Sequence, residues 1–357
     1  MRSILIALAL LIVAFPADAQ QLLHEQSGDF IAGGFRFEDG TSLPQVTLHY
    51  VTLGEPRRDS NGHVTNAVLL LHGIADTGRA FLTAAMRREL FAPGQPLDAN
   101  RYFIVIPDAI GHGGSSKPSD GLRMKFPQYG YNDVVQAQYL LVTQGLHVDH
   151  LRVVLGTSMG GMQTWVWGER YPRMMDGLMP IASQPVAVAG RNGFWRQMIV
   201  DAIRRDPDWN DGNYTLQPIQ WLRALPVFTL MTKNAARMQA LSPTPDTATW
   251  SYDVSVYSSR QYDANDVLYW FESSWDYDPE AALGRIEAPI FAVNFSDDLT
   301  NPTDLGVMQR LVPRVRHGRF VEMPESEHSY GNQTIEHPEV WKSYINDFLQ
   351  TLPQESH

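Results

Sequence analysis

Residues 153–167 read VVLGTSMGGMQTWVW, and this stretch decides the fold. The apolar run over 151–155 predicts a buried strand and the segment from Met159 predicts a helix, so Ser158 falls on the turn between them. Such a turn forces the serine into a strained backbone conformation, and the glycines on either side leave room for it. The pattern indicates that Ser158 is a nucleophile. The alternative is a small residue in a tight turn.

Similar apolar runs alternate with helical stretches along the chain. Runs of about four to eight apolar residues bounded by Gly, Pro, Asn or Asp are typical of strands buried on both faces. Their alternation with helices predicts the fold class α/β, with a mostly parallel central sheet flanked by helices. The predicted strands are 46–53, 67–71, 102–107, 151–155, 177–182, 289–295 and 319–323, and the predicted helices are 80–90, 131–144, 159–171 and 338–352.

The segment 183–278 interrupts this alternation. It shows no clear buried strand and holds most of the chain's 9 tryptophans. We expect a helical lid, inserted over the carboxyl edge of the sheet between a first core part (20–182) and a second core part (279–357). The alternative is a helical subdomain that only buries its own core. A lid rich in aromatic residues is also a surface through which a homodimer could form.

Residues 1–19 have the features of a secretory signal peptide. Arg2 precedes an apolar run over 4–15, which is followed by Pro16 and the small-x-small sequence ADA. An uncleaved membrane anchor is the alternative, but the run is shorter than the roughly 20 residues of a spanning helix. We therefore expect cleavage before Gln20, a periplasmic or secreted mature protein and no membrane insertion.

Composition excludes several classes of function. The formal net charge is -11 and the chain has no basic run, which argues against nucleic-acid binding. With 0 cysteines, the chain has no disulfides, no thiolate nucleophile and no zinc–thiolate site. We expect a small-molecule ester as the partner, and chemistry that uses neither a cofactor nor a metal.

A serine nucleophile needs a base and a carboxylate that orients the base. On a sheet of this kind both follow the serine, in the order Ser, Asp, His. His328 is the predicted base, because among the downstream histidines it alone lies in the loop between an apolar strand and the last helix. The sequence SDDL places Asp297 and Asp298 just past a buried strand. Spacing favours Asp297 as the acid and leaves Asp298 as the alternative.

Two backbone N–H groups are predicted to stabilise the oxyanion that forms when the serine attacks. One belongs to Met159, directly after the nucleophile. The other belongs to Ile74, in the stretch AVLLLHGIADTG, where Gly73 permits an unusual backbone path. His72 precedes the serine in the chain, so we expect it to hold this loop by hydrogen bonds rather than to act as the base.

With these residues located, the chain resembles the α/β-hydrolase superfamily and, within it, the homoserine O-acetyltransferase family. The resemblance runs from about residue 50 to the carboxyl end. It implies an α/β-hydrolase fold with an inserted helical lid, and it places the nucleophile on Ser158, the acid on Asp297 and the base on His328. The similar stretches include NAVLLLHGIADTG (66–78), GTSMGGMQTWVWGERYP (156–172) and QYDANDVLYWFESSWDYD (261–278).

The sequence departs from the acetyltransferase members at two positions. Ser329 follows His328, where those enzymes have an aspartate that helps to hold the amino-acid substrate. Pro226 stands where they have a lid arginine for the substrate carboxylate, and Arg223 is the nearest candidate. Acetyl-CoA is an intracellular metabolite, so the expected export also argues against acetyl transfer from it.

The leading hypothesis is therefore an exported serine hydrolase that cleaves carboxylic esters through an acyl-serine intermediate. One alternative is an acyltransferase of the homoserine O-acetyltransferase type, which would use the same acyl-enzyme. A more remote alternative is a non-catalytic binding module on the same fold.

Overall fold

The structure is a computed structural model that describes residues 24–353, and its centre is an eight-stranded sheet. The strands are β1 (Gln26–Arg36), β2 (Ser42–Leu53), β3 (Ala67–Leu71), β4 (Phe103–Pro107), β5 (Val153–Thr157), β6 (Leu178–Ile181), β7 (Ile290–Phe295) and β8 (Gly318–Met323). Their order is β1-β2-β4-β3-β5-β6-β7-β8. Only the pairs β1–β2 and β2–β4 of the described sheet are antiparallel, which confirms the predicted mostly parallel α/β architecture.

Three strands differ by more than one residue at an end from the sequence-based expectation, and one of them, β2, begins at Ser42 rather than at residue 46. The first strand, β1, was not predicted because it is an edge strand in which only Ala32 and Phe35 are buried, so it lacks an apolar run. Strand β5 lies two residues later than predicted, because Gly156 and Thr157 continue the ladder with the neighbouring strands. As a result β5 runs up to Ser158 itself.

The α-helices flank the sheet and fill the segment between β6 and β7. They are α1 (Ala84–Met86), α2 (Tyr131–Leu140), α3 (Met159–Arg170), α4 (Gly190–Arg204), α5 (Pro226–Thr232), α6 (Ala235–Leu241), α7 (Pro245–Ser258), α8 (Ala264–Glu272), α9 (Val307–Leu311) and α10 (Pro338–Leu349). The single helix predicted over 80–90 is wrong. That segment is a 3₁₀ turn (Gly78–Leu82), the short α1 and a π turn (Arg87–Phe91).

Residues 183–278 add no strand to the sheet and contain helices α4 to α8. This segment is called the helical insertion below. Trp195, Trp209 and Trp221 are buried, whereas Trp250 and Trp275 are exposed. Part of the aromatic content therefore packs the insertion itself, as the alternative for this segment proposed.

The hydrophobic core lies on both faces of the sheet. Along β3, Leu69 and Leu71 pack into the cluster on one face, whereas Val68 and Leu70 pack into the cluster on the other. Burying each such side chain stabilises the fold by about 1.5–3 kcal/mol. Burial on both faces explains why β3 appears in the sequence as an unbroken apolar run.

The expected signal segment, 1–19, lies outside the described residues, so its role stays a prediction. Among residues 24–353, no helix has both the length and the apolar character that crossing a bilayer requires.

Candidate active site

Ser158 lies on the tight turn between β5 and α3, as the sequence predicted. Its backbone has φ 53° and ψ -113°, a conformation that is strained for any residue except glycine. The strain is held by two hydrogen bonds: the Ser158 N–H donates to the Ile181 carbonyl (2.9 Å), and the Ser158 carbonyl accepts from the N–H of Met162 (3.0 Å). The turn presents the hydroxyl at the amino end of α3, in the wall of a small cavity.

The glycines on either side of Ser158 are required by backbone packing. A Cβ on Gly156 would lie 2.0 Å from the carbonyl oxygen of Gly160, and a Cβ on Gly160 would lie 2.0 Å from the carbonyl oxygen of Leu71. Helix α3 therefore packs against β3 and β5 at backbone-to-backbone distance. Any side chain at either glycine would push the nucleophile out of place.

The N–H groups of Ile74 and Met159 are both free, since neither has a hydrogen-bond partner in the described part of the chain. Ile74 and Ser158 line the same cavity. Met159 is the first residue of α3, where the positive end of the helix dipole favours negative charge. The two donors thus fit the predicted oxyanion hole, whose catalytic role stays a prediction.

The loop that carries Ile74 is held by two buried histidines. The Nδ1 of His72 bonds the Gly73 carbonyl (2.7 Å) and its Nε2 accepts from the N–H of Ala109 (3.0 Å), so the role predicted for His72 is confirmed. The Nε2 of His112 bonds the Ile74 carbonyl (2.8 Å). Burial lowers the pKa of His72 to about 4 and that of His112 to about 3, so both rings are neutral at ordinary pH.

The cavity at Ser158 is small, about 20 Å³, which is room for roughly one water molecule. Helices of the insertion contribute one side of it, and the loops after β6 and β7 contribute another. Phe228 lines both this cavity and a second one of about 200 Å³, which Ala75, Tyr262 and Trp270 also help to line. The other residues that line the small cavity are Ile74, Met162, Ala182, Asn192, Trp195, Arg196, Thr232, Thr300, Asn301 and Asn332.

Arg196 is a buried cation in this wall, with a side chain that is only 6% exposed. Its Nε donates to Asn192 Oδ1 (2.8 Å) and its Nη1 donates to Ser274 Oγ (3.0 Å), while the guanidinium packs over the rings of Trp195 and Phe271. No carboxylate of the described chain pairs with it, and the hydroxyl of Tyr131 lies beside its guanidinium. Burial lowers the pKa of Arg196, but an arginine stays protonated in proteins.

The two candidate acids have different surroundings. Asp298 is fully buried, and its carboxylate accepts hydrogen bonds from Thr300, Asn301 and Asn332, which line the cavity. It is a structural anchor with no free oxygen. Asp297 uses Oδ2 to accept from Asn234 Nδ2 (2.7 Å) and the N–H of Gly331 (2.8 Å), while its buried Oδ1 has no partner. The geometry therefore favours Asp297 as the residue that orients a histidine.

The structure does not bring His328 against Ser158 or Asp297. Its loop follows β8, as the sequence predicted, but the imidazole is 73% exposed and its Nε2 faces Glu327 Oε1 at 3.4 Å. Loop and acid are nevertheless joined, because Gly331 of the same loop donates to Asp297. The predicted base and the predicted acid are thus linked through the backbone, while the imidazole is turned to solvent and Asp297 Oδ1 has no partner.

The positions at which the sequence departs from the acetyltransferases lie away from the cavity. Ser329 Oγ accepts from the N–H of Ser326 (2.7 Å) within its own loop. Arg223 bonds through its backbone, donating its N–H to the Gln220 carbonyl and accepting from the hydroxyl of Tyr252, and Pro226 begins α5. Neither Arg223 nor Pro226 lines the wall around Ser158.

Sequence reasoning missed several residues that build this site. Arg196 and Asn234 both belong to the insertion, and their partners lie far away in the chain: 78 residues separate Arg196 from Ser274, and 63 separate Asn234 from Asp297. Neither residue sits in a motif. Only the fold brings these partners together, so no local signal could have found them.

Comparison with known proteins identifies the class. A family profile described as "alpha/beta hydrolase fold" matches residues 66–329. The sheet order, the strained serine turn and this match define the chain as an α/β-hydrolase. A homoserine O-acetyltransferase from Geobacter metallireducens is 30% identical to it, over 93% of this chain and 98% of that protein. The chain belongs to the homoserine O-acetyltransferase-like family of α/β-hydrolases.

Solved structures share the whole fold. The homoserine O-acetyltransferase from Bacillus anthracis has a TM-score of 0.79 at 21% identity, covering 93% of this chain and 99% of that chain. An acetylester hydrolase from Corynebacterium glutamicum has a TM-score of 0.77 at 21% identity, covering 91% and 96%. Through its family, the chain is an enzyme, an acyl-transferring α/β-hydrolase.

Proposed function

We propose that this enzyme is an acyltransferase that moves a short acyl group from a donor ester to an acceptor hydroxyl, through an acyl-serine at Ser158. The observation that carries this proposal is the match to homoserine O-acetyltransferases over 96% and 98% of their own length, which supports transfer rather than hydrolysis. The small cavity at Ser158, about 20 Å³ and walled by the insertion, favours a short acyl group over a long one.

In the first half-reaction, Ser158 Oγ attacks the acyl carbon while His328 takes the hydroxyl proton. The N–H groups of Ile74 and Met159 stabilise the oxyanion, each by about 3 kcal/mol in the transition state. The C–O bond to the donor then breaks, and the imidazolium protonates the leaving alkoxide. For this step the imidazole has to turn from solvent to the free Oδ1 of Asp297, which fixes its tautomer.

In the second half-reaction, the acceptor hydroxyl gives its proton to His328 and attacks the acyl carbon of the acyl-serine. The Ser158 ester bond breaks, the serine regains a proton from the imidazolium, and a new ester leaves. Arg196 supports an acceptor with a carboxylate, because a buried guanidinium without an acidic partner is stabilised by an anionic ligand. Homoserine, named for the relatives, is such an acceptor.

Hydrolysis of short esters is the second candidate. The observation that favours it is Ser329, which bonds within its own loop at the position where the acetyltransferases have a substrate-binding aspartate. Export directed by residues 1–19 would favour it as well, since an exported enzyme meets water and esters but not intracellular thioesters. In this reaction water replaces the acceptor, and free acid is the product.

The test measures how the acyl group partitions. Wild-type enzyme and Ser158→Ala are given p-nitrophenyl acetate with and without L-homoserine, and p-nitrophenol, acetate and O-acetylhomoserine are quantified. Transfer predicts that the acetylated acceptor accumulates at the expense of free acetate. Free acetate alone, at every acceptor concentration, would establish the hydrolase and overturn the transferase.

Arg196→Met tests the acceptor site in the same assay. We expect the KM for homoserine to rise about tenfold or more, because a charged hydrogen bond is worth roughly 1.5–3 kcal/mol, while acylation by p-nitrophenyl acetate changes little. Arg196→Lys is the matched control that keeps the charge. Equal losses for the charged acceptor and a neutral alcohol would show that Arg196 only packs the insertion.

Phe228→Ala tests the size of the acyl site, because the Phe228 side chain lines both cavities. Wild-type kcat/KM should fall steeply from the acetyl to the hexanoyl ester, and the variant should flatten this dependence. Phe194→Ala is the matched control, since Phe194 belongs to the same insertion but is exposed. The same chain-length profile in the variant and the wild type would contradict the assigned acyl site.

A further inference from the structure

Asn234 is a buried residue of the insertion whose side chain reaches the catalytic residues of the core. It is 4% exposed, and all hydrogen-bonding groups of its side chain but one lone pair are in use. Its Nδ2 donates both to Asp297 Oδ2 (2.7 Å) and to the Ser329 carbonyl (3.1 Å). Its Oδ1 accepts from the N–H of Arg237 (2.9 Å) and thereby caps α6.

The bond to Asp297 decides which carboxylate oxygen is free. Asn234 and the N–H of Gly331 both bind Oδ2, so Oδ1 is left without a partner inside the protein. A buried carboxylate oxygen without a partner is costly, and a histidine N–H is the donor that this site lacks. Asn234 therefore holds the acid in the rotamer that presents one oxygen to a base.

The same segment grips the loop of His328 on both sides of the histidine. Arg237 donates from Nε to the Ser329 carbonyl (3.1 Å) and from Nη2 to the Glu327 carbonyl, and its guanidinium lies 3.9 Å from the centre of the Tyr330 ring. The backbone on either side of His328 is thus tied to α6, whereas the imidazole itself is exposed.

We propose that Asn234 is a positioning residue of the catalytic triad, through which the insertion sets the place of both Asp297 and the His328 loop. The proposal rests on the acyl-serine chemistry proposed above and assigns Asn234 no contact with substrate. The N–H that it donates to Asp297 also spreads the carboxylate charge. Without this donor the carboxylate is a stronger partner for an imidazolium.

Two variants separate positioning from helix capping. Asn234→Ala removes both the cap and the bond to Asp297. Asn234→Asp keeps an oxygen for the cap but cannot donate to Asp297, and adds a negative charge beside it. Thr244→Ala is the control, because Thr244 caps α7 of the same insertion through the N–H of Thr247 and lies outside the triad.

The readouts are kcat, KM and the pH profile of p-nitrophenyl acetate turnover, with the melting temperature of each variant. We expect kcat to fall about tenfold to a hundredfold in Asn234→Ala, and further in Asn234→Asp, with KM within about twofold. The acidic limb of kcat/KM, where the base must be neutral, should move to higher pH in Asn234→Ala and furthest in Asn234→Asp. The charged groups nearby, Glu327 and Arg237, are the same in all variants. Thr244→Ala should lower the melting temperature and leave kcat and the limb unchanged.

A second probe needs no substrate turnover. Diethyl p-nitrophenyl phosphate reacts once with an activated serine: Ser158 Oγ displaces p-nitrophenolate from phosphorus, and its proton passes to His328. Release of one equivalent should be slower in Asn234→Ala by the same factor as kcat. Equal rates and equal pH limbs in wild type and Asn234→Ala would overturn the positioning role alone. Absence of phosphorylation at Ser158 in the wild type would overturn the acyl-serine chemistry, and the positioning role with it.

Discussion

The two sides of the active site are built in different ways. The turn of Ser158 is held mainly by backbone contacts, with α3 packed on β3 and β5 through two glycines. The loop of His328 is held by side chains of the insertion, and its imidazole lies in solvent. Rigidity on the first side therefore comes from the sheet itself. On the second side, rigidity depends on the helical insertion, which contributes no strand to the sheet.

This difference separates two properties of the enzyme. A nucleophile fixed by the core is in place in every conformation that keeps the sheet intact. A base that is fixed through the insertion is in place only when the insertion is correctly packed. We expect substitutions at the serine turn to act on folding or abolish the reaction outright, and substitutions around the loop to act on rate.

Ser158→Ala should have the largest effect on activity. Release of p-nitrophenol from p-nitrophenyl acetate should fall by at least about 10⁴-fold, because no other group forms the acyl-enzyme. The melting temperature should stay the same, since the turn is held by backbone bonds. Activity that survives the substitution would show that the serine on this turn is not the nucleophile.

Asp297→Asn and Asp298→Asn test which of the two carboxylates orients His328. The first change should lower kcat by on the order of 10³- to 10⁴-fold, because an amide N–H at the free position donates to the imidazole and holds the wrong tautomer, and a neutral amide does not stabilise the imidazolium. The second should lower the melting temperature more than the first, because Asp298 accepts from several buried donors. The reverse ranking in kcat would assign the acid to Asp298.

Gly160→Ala tests whether the serine turn depends on backbone packing. The added methyl group would lie 2.0 Å from the Leu71 carbonyl oxygen, so we expect a loss of about 3 kcal/mol in unfolding free energy, measured by urea denaturation. Gly33→Ala is the matched control, because a Cβ at Gly33 meets nothing within 4 Å. Similar losses in both variants would show that close packing is not what requires Gly160.

Glu169→Gln, near the carboxyl end of α3, should have the smallest effect on activity. Burial raises the pKa of Glu169 to about 8, a net shift that the charge of Arg285 opposes and the charge of Asp278 supports. The folded protein therefore binds this proton more tightly than the unfolded chain, and stability is lost as pH rises from about 4.5 through 8. The melting temperature of the variant should exceed that of the wild type at pH 9 and match it at pH 4. A constant difference across this range would contradict the shift.

The sequence predicted the first side well because its determinants are local. The buried strand β3 shows its exact bounds as an apolar run, and the glycine spacing around Ser158 reports the close approach of α3. His72 was recognised by its place in the chain, before the serine. These signals lie within a few residues of the group they position.

The second side could be predicted only in part. The loop of His328 and the pair Asp297 and Asp298 were located, but the contacts that distinguish the two acids come from other elements. Asn332 and Asn234 decide which carboxylate is saturated, and each lies tens of residues away from it. The orientation of an exposed imidazole cannot be predicted from the periodicity of the sequence.

The close contact at Gly331 bears on how enzymes of this fold can be recombined. Gly331 has φ 67°, and a Cβ there would lie 2.9 Å from the backbone nitrogen of Asn234 and the carbonyl oxygen of Thr232. The insertion and the loop therefore contact each other through their backbones. We infer that residues 226–241 and 324–334 form one unit, and that both segments must come from the same parent protein. A chimera that takes only the insertion from a relative should melt earlier than one that takes both segments. The parts of this enzyme that can be exchanged between relatives are therefore defined by contacts in the folded protein and not by continuity along the chain.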